Sequence, residues 1–157
     1  MRVEGKRIKD YLKIGKIHFI VLVVWTLLAF LVPYIFPGQS MIIAIAAKMT
    51  VIAPLFMIAV FGHLGYAIAG NPKFGKANQA IFAGIIIGLI TGFIAGFLML
   101  YEPGTRGFIV NLLFEGSAKK GALFLLALVA GIVTSFLRAA YGALLCWLGA
   151  LVIKEAK

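Results

Sequence analysis

Four long apolar runs, separated by short polar segments, account for most of this 157-residue chain. They cover residues 17–36, 41–69, 79–100 and 121–153. A helix of about 20 apolar residues crosses a hydrocarbon core of roughly 30 Å, so each run is long enough to span a bilayer. The pattern predicts an all-α integral membrane protein with four transmembrane helices in an up-down bundle, forming a single membrane domain over 17–153.

Two segments outside these runs also have a recognisable pattern. Residues 1–16 interleave basic and apolar side chains, which is typical of an amphipathic helix. We expect this basic cytoplasmic tail to lie on anionic lipid headgroups. The outer loop 101–120 contains the apolar stretch 107–114, which is too short to cross a bilayer. We expect that stretch to lie at the membrane interface.

The distribution of charge predicts the orientation of the chain. Hydrophobic residues make up 63% of it, the mean hydropathy is +1.09 and the formal net charge is +10. With the N-terminus inside, ten Lys and Arg residues fall in inner segments and three in outer segments. This asymmetry satisfies the positive-inside rule and predicts cytoplasmic N- and C-termini. We expect a multi-pass protein of a prokaryotic plasma membrane, with no nucleic acid as a partner, since the basic residues belong to no folded aqueous domain.

Small residues recur at every fourth position in the last two runs. In the third run they are Gly84, Gly88, Gly92 and Gly96. In the fourth run they are Ala127, Gly131, Ser135, Ala139 and Ala143. Stripes of this glycine-zipper kind let two helix backbones approach closely, which is a main source of attraction between apolar helices in lipid. We predict that the two stripes face each other, either within one chain or between copies in a homo-oligomer.

Arg138 is the only charged residue between Lys120 and Lys154. An arginine at the centre of a transmembrane helix costs about 2.5–3.5 kcal/mol on insertion scales, and such residues mark functional sites by default. Four kinds of partner could offset this cost: backbone carbonyls freed near Pro54, an anionic lipid or substrate, a carboxylate on another subunit, or headgroups reached by snorkelling.

Three hydroxyl side chains are candidate companions of Arg138. Thr134 and Tyr141 share its helix face at spacings of four and three residues. The segment 88–96 aligns with 131–139, and this alignment matches Thr91 to Thr134. We therefore predict a ligand-binding or partner-binding site composed of Arg138, Thr134, Tyr141 and Thr91.

His18 and His63 are the only histidines in the chain. One begins the first run and the other lies near the end of the second, so antiparallel helices would hold both at a similar depth. A bis-histidine haem or a shared metal needs such a placement. Two histidines without a third ligand favour zinc only weakly. The alternative is that each is an interfacial side chain bonded to a carbonyl group.

The run His18-x6-Trp25-x4-Phe30-x2-Pro33-x2-Phe36 resembles the first span of small four-helix haem-associated membrane proteins, the HemJ-type protoporphyrinogen oxidases and the CopD-like group. The resemblance implies ligation of haem b at His18 and porphyrin or electron-transfer chemistry. The third and fourth runs carry the small-residue stripes in place of that family's later signatures.

The sequence contains no phosphate-binding Gly-Lys-Ser/Thr loop and no nucleophile elbow. We therefore expect no autonomous catalysis and no metal site. The predicted function is an oligomeric pathway for a small solute or ion, or a structural subunit of a membrane complex, with Arg138 as the buried anchor. The alternative function is a haem b-binding module that uses His18 and His63.

Overall fold

The computed structural model describes residues 2–3, 5–36, 38–74, 76–101, 103–114 and 120–155. Two short antiparallel strands open the chain, and helices form nearly all of the rest. The elements are β1 (Arg2–Val3), β2 (Lys6–Arg7), α1 (Ile8–Ile14), α2 (Lys16–Ile35), α3 (Ser40–Ala69), α4 (Ala77–Met99), α5 (Pro103–Phe114) and α6 (Lys120–Glu155).

Within these described ranges, four helices are long and apolar enough to cross a membrane, namely α2, α3, α4 and the Gly121–Ile153 part of α6. This confirms the predicted helical class and the predicted number of apolar helices of spanning length. The boundaries of these four helices differ by at most a few residues from the boundaries of the four apolar runs. The short stretch expected at 107–114 belongs to a longer helix, α5, which begins at Pro103.

The glycine stripe of α4 lies against α6 of the same chain. The closest backbone neighbours are Gly142 for Gly84, Arg138 and Ala139 for Gly88, Thr134 and Ser135 for Gly92, and Ala130 for Gly96. The numbers rise along α4 as they fall along α6, so the two helices run antiparallel. A Cβ atom at Gly88 would lie 2.5 Å from the Arg138 carbonyl oxygen, so only glycine permits this approach. The α4 stripe is therefore used within one chain rather than between copies.

Helix α3 packs tightly over its second half only. Gly65 lies against the Cys146 backbone, and Gly149 of α6 lies against Gly62. The Cys146 thiol is buried and donates a hydrogen bond to the Phe61 carbonyl oxygen at 3.2 Å. The first half of α3 is largely exposed, with Val51 at 78% of its maximal accessible surface. The hydrophobic core is therefore concentrated at the end of the bundle where α1 lies.

The N-terminal segment differs from the amphipathic helix expected over 1–16. A hairpin, in which Gly5 has a φ of +76°, precedes α1, a helix of only seven residues. Tyr11 of α1 is fully buried in the core, and its ring packs edge-on against Phe74 at a centroid distance of 5.6 Å. Gly15 lies at the junction of α1 and α2, and because it has no side chain, Ile87 packs directly against this junction. Because burial of an aromatic side chain is strongly favourable, α1 packs against the bundle instead of extending away from it.

Candidate functional site

Arg138 connects three of the four long helices. Its Nη1 donates a hydrogen bond from α6 to the Thr91 carbonyl oxygen of α4 at 3.0 Å. The same nitrogen lies 3.4 Å from Thr26 Oγ1 of α2, at the long limit for a hydrogen bond. Arg138 lies about 26 Å from either end of α6 at 1.5 Å per residue. The guanidinium is thus held at mid-height in the bundle.

The packing of α4 against α6 sets the position of this arginine. A Cβ atom at Gly92 would lie 3.0 Å from Arg138 Cβ, so the base of the arginine side chain rests directly on the α4 backbone. The two threonines nearby already use their hydroxyl protons within their own helices. Thr26 donates to the Leu22 carbonyl oxygen and Thr91 to the Ile87 carbonyl oxygen, each at 2.8 Å. Within the described ranges the arginine therefore meets only neutral oxygen acceptors.

No acidic side chain in the described part of the chain contacts Arg138. Asp10 is the only acidic side chain that the structure describes, and it accepts a hydrogen bond from the Arg7 backbone at the start of α1. Glu102 and Glu115, at the predicted outer boundary, lie outside the described residues. Among the described residues, Arg138 makes hydrogen bonds through Nη1 alone. Its Nε and Nη2 groups supply three further N–H donors.

The structure brings together only some of the residues predicted for this site. Thr91 contacts Arg138 through its backbone oxygen rather than its hydroxyl. The Thr134 hydroxyl lies close to Gly96, and Tyr141 packs at the edge of the hydrophobic core. Neither of these two residues has a hydrogen bond to Arg138 within the described ranges. The carbonyl group that accepts from the arginine belongs to α4, not to the region of Pro54.

Thr26, which is 1% exposed, is not among the residues that the sequence pattern predicts for this site. One feature of the sequence does indicate it, because Thr26 is the only aliphatic hydroxyl residue in an otherwise strongly apolar helix. A polar side chain in such a helix is expected to face the interior of the bundle. The missing information was which neighbouring helix it would face.

His18 and His63 are in direct contact. The His18 Nε2 and His63 Nδ1 atoms are 2.8 Å apart, and the ring centroids are separated by 5.1 Å at an interplanar angle of 30°. His63 is exposed, whereas His18 Nδ1 is buried and has no hydrogen-bond partner within the described part of the chain. One ring must donate and the other accept, so at least one imidazole nitrogen in the bond carries no proton.

This arrangement does not fit a haem held between the two rings. Imidazole–metal bonds are about 2.0–2.1 Å long, so an iron between two histidines would need nitrogens about 4 Å apart on opposite sides of the metal. The two facing nitrogens are instead within direct hydrogen-bond distance. Among the described residues there is also no group of three His, Cys, Asp or Glu side chains that could hold a metal ion.

Comparison of the chain with protein-family models, with curated proteins and with solved structures finds no match in any of the three. The comparisons therefore give no support for membership of the haem-associated family that the first span resembles.

Proposed function

We propose that this protein is a non-enzymatic, multi-pass membrane protein that forms a pathway for a small anion, with Arg138 as the anion-binding centre. The observation that carries the proposal is the charge at mid-height: the guanidinium meets only neutral oxygens among the described residues. A cation in a low-dielectric interior attracts a counter-ion far more strongly than the same cation in water. An anion at this position would offset the cost of burying the arginine.

The geometry of the guanidinium supports an anionic ligand. Arginine presents a planar fork of donors that matches the oxygens of a carboxylate or phosphate group. Because Nη1 is held by Thr91 and Thr26, the side chain is oriented, and no described residue accepts a hydrogen bond from Nε or Nη2. An oriented donor group loses less conformational freedom on binding than a mobile one.

The proposed orientation places both termini in the cytoplasm of a prokaryote, as the positive-inside rule predicts. The four helices of spanning length then form an up-down bundle, and α5 lies at the outer interface. The exposed Leu112 and Leu113 side chains of α5 agree with an interfacial position. We further propose that copies assemble through surfaces other than the α4 stripe, since α6 covers that stripe.

A second candidate function is that of a structural subunit, and the exposure of α3 favours it. In the most apolar 18-residue stretch of α3 only 6% of the residues are buried, compared with 44% in the corresponding stretch of α4. A partner helix lying along α3 could carry a carboxylate that reaches Arg138. In that case the partner, rather than a solute, would supply the counter-charge.

Anion flux into vesicles that contain the purified protein tests the first candidate. We expect Arg138→Gln to lower the flux at least tenfold, because glutamine keeps donor groups but removes the charge. Lys48→Gln is the matched control, since Lys48 is a cation in the interior of another helix of spanning length and is exposed on α3. Equal flux in both variants would contradict the proposal. Loss of a co-purified membrane subunit in Arg138→Gln alone would favour the second candidate.

A further inference from the structure

A basic pocket lies at the end of the bundle opposite α5. Its volume is about 490 Å³, and it is an open pocket between β2 and α1 on one side and the connection between α3 and α4 on the other. Three lysines line it, namely Lys6, Lys13 and Lys73. Among the described lining residues Asp10 alone is acidic, so these residues together carry a net positive charge.

The polar groups of the pocket are partly fixed by local hydrogen bonds. The Asp10 carboxylate accepts from the Arg7 backbone N–H at 2.9 Å, which engages it at the start of α1. Asn71 Oδ1 accepts from the Lys73 backbone N–H at 2.9 Å. The NH2 group of the same amide is a hydrogen-bond donor, so Asn71 adds donor capacity to the lining.

Apolar side chains form the rest of the lining. Ile14 and Phe74 belong to the pocket, and Lys6 Nζ lies 5.3 Å from the centre of the Phe74 ring. Ile14 ends α1, and the spanning helix α2 begins two residues later at Lys16. The pocket is therefore located where a spanning helix leaves the hydrocarbon core, and it combines cationic and apolar surfaces.

The fully buried Tyr11 keeps this pocket in place. Its ring packs against Phe74, which joins α1 to the connection between α3 and α4. The lysines of α1 and of that connection are consequently held near one another by the fold. A basic tail lying loosely on a membrane would offer similar charge without a defined cavity.

We propose that this pocket binds a phosphate group, and that an anionic phospholipid such as phosphatidylglycerol supplies it. Three lysines and one amide donor suit the charge and oxygen acceptors of a phosphodiester. Ile14 and Phe74 suit the start of an acyl chain, which free phosphate lacks. The pocket is separate from Arg138, so its occupancy does not depend on the proposed anion pathway.

Thermal unfolding in detergent with added lipid tests this proposal. Phosphatidylglycerol is expected to raise the melting temperature of the wild type by several degrees more than phosphatidylcholine does. The triple variant Lys6→Gln/Lys13→Gln/Lys73→Gln is expected to lose this difference. The matched triple Lys9→Gln/Lys16→Gln/Lys76→Gln removes the same charge from exposed lysines that do not line the pocket, and it should retain the difference.

Further measurements distinguish a lipid phosphate group from free phosphate, and replacement variants cover the case in which the triple variant does not fold. Sodium phosphate, compared with sodium chloride at equal ionic strength, should have little effect; stabilisation equal to that by the lipid would identify free phosphate as the source and overturn the lipid assignment. Equal responses of the two triple variants would contradict binding at this pocket.

If the pocket triple variant does not fold, the double variant Lys13→Gln/Lys73→Gln replaces it, with Lys9→Gln/Lys76→Gln as the control, because all four lysines are exposed. Arg138→Gln should keep the full lipid effect, which separates this proposal from the anion pathway.

Discussion

Arg138 donates a hydrogen bond to the backbone carbonyl oxygen of Thr91 across the contact between α6 and α4, at 3.0 Å. Because the acceptor belongs to the backbone, this bond does not depend on the residue type at position 91. The close approach of α4 and α6 therefore sets this bond, and the Thr26 hydroxyl group of α2 lies beside it.

The first prediction concerns the stability of the protein without this arginine. Arg138→Met should leave the free energy of unfolding within about 1 kcal/mol of the wild type or raise it, because the cost of burying the charge disappears while the lost hydrogen bonds have a modest net value. Reversible unfolding in mixed micelles measures the difference. A loss of about 3–5 kcal/mol would instead indicate that the substitution breaks a buried ion pair.

The second prediction concerns the contact between α4 and α6. Gly88→Ala should destabilise the protein by more than about 2 kcal/mol, since the added methyl group meets backbone atoms of α6 within 2.5–2.8 Å and overpacking costs typically 1–3 kcal/mol. Gly62→Ala is the matched control, because a Cβ atom there meets nothing within 4 Å. The control should be neutral or more stable by up to about 1 kcal/mol, from helix propensity. Equal effects of the two substitutions, measured by unfolding, would rule out this contact.

The third prediction concerns the hydrogen bond between the two imidazoles. A double-mutant cycle of His18→Ala and His63→Ala should give a coupling energy of about 0.5–1.5 kcal/mol. A coupling energy near zero would contradict a hydrogen bond that links α2 to α3.

The fourth prediction concerns the single cysteine. Cys146 is 0% exposed and its thiol is bonded to the Phe61 carbonyl oxygen, so a maleimide reagent should label it only as fast as the protein opens. A Leu112→Cys variant in a Cys146→Ala background gives an exposed thiol on α5 for comparison, since Leu112 is 67% exposed. Rapid labelling of Cys146 in the folded wild type would contradict the packing of α3 against α6.

The helices could be predicted from the sequence because their signals are local. Apolar runs of 20 residues or more set the elements, and a spacing of four residues defines the stripe that α4 turns toward α6. The partner of Arg138 could not be predicted in the same way. Thr26 is 112 residues distant in the chain, and the Thr91 contact uses a backbone atom that carries no sequence signal.

The N-terminal segment illustrates the same limit of local patterns. Its alternating basic and apolar residues fit an amphipathic helix, yet the alternation does not reveal that Tyr11 finds an aromatic partner in Phe74. A tertiary contact of one side chain thus determines where a short helix lies. The sequence did place His18 and His63 at similar depth, but their direct hydrogen bond depends on rotamers that only the packed helices fix.

The most direct test of the proposed anion pathway is the reversal potential of the purified protein in a planar bilayer under a salt gradient. If Arg138 is the centre of an anion pathway, the reversal potential of the wild type lies on the side of the anion equilibrium potential. The conductance should then be lost in Arg138→Gln and kept in Lys48→Gln. A reversal potential on the side of the cation equilibrium potential, or a conductance that Arg138→Gln leaves intact, would contradict an anion pathway centred on Arg138.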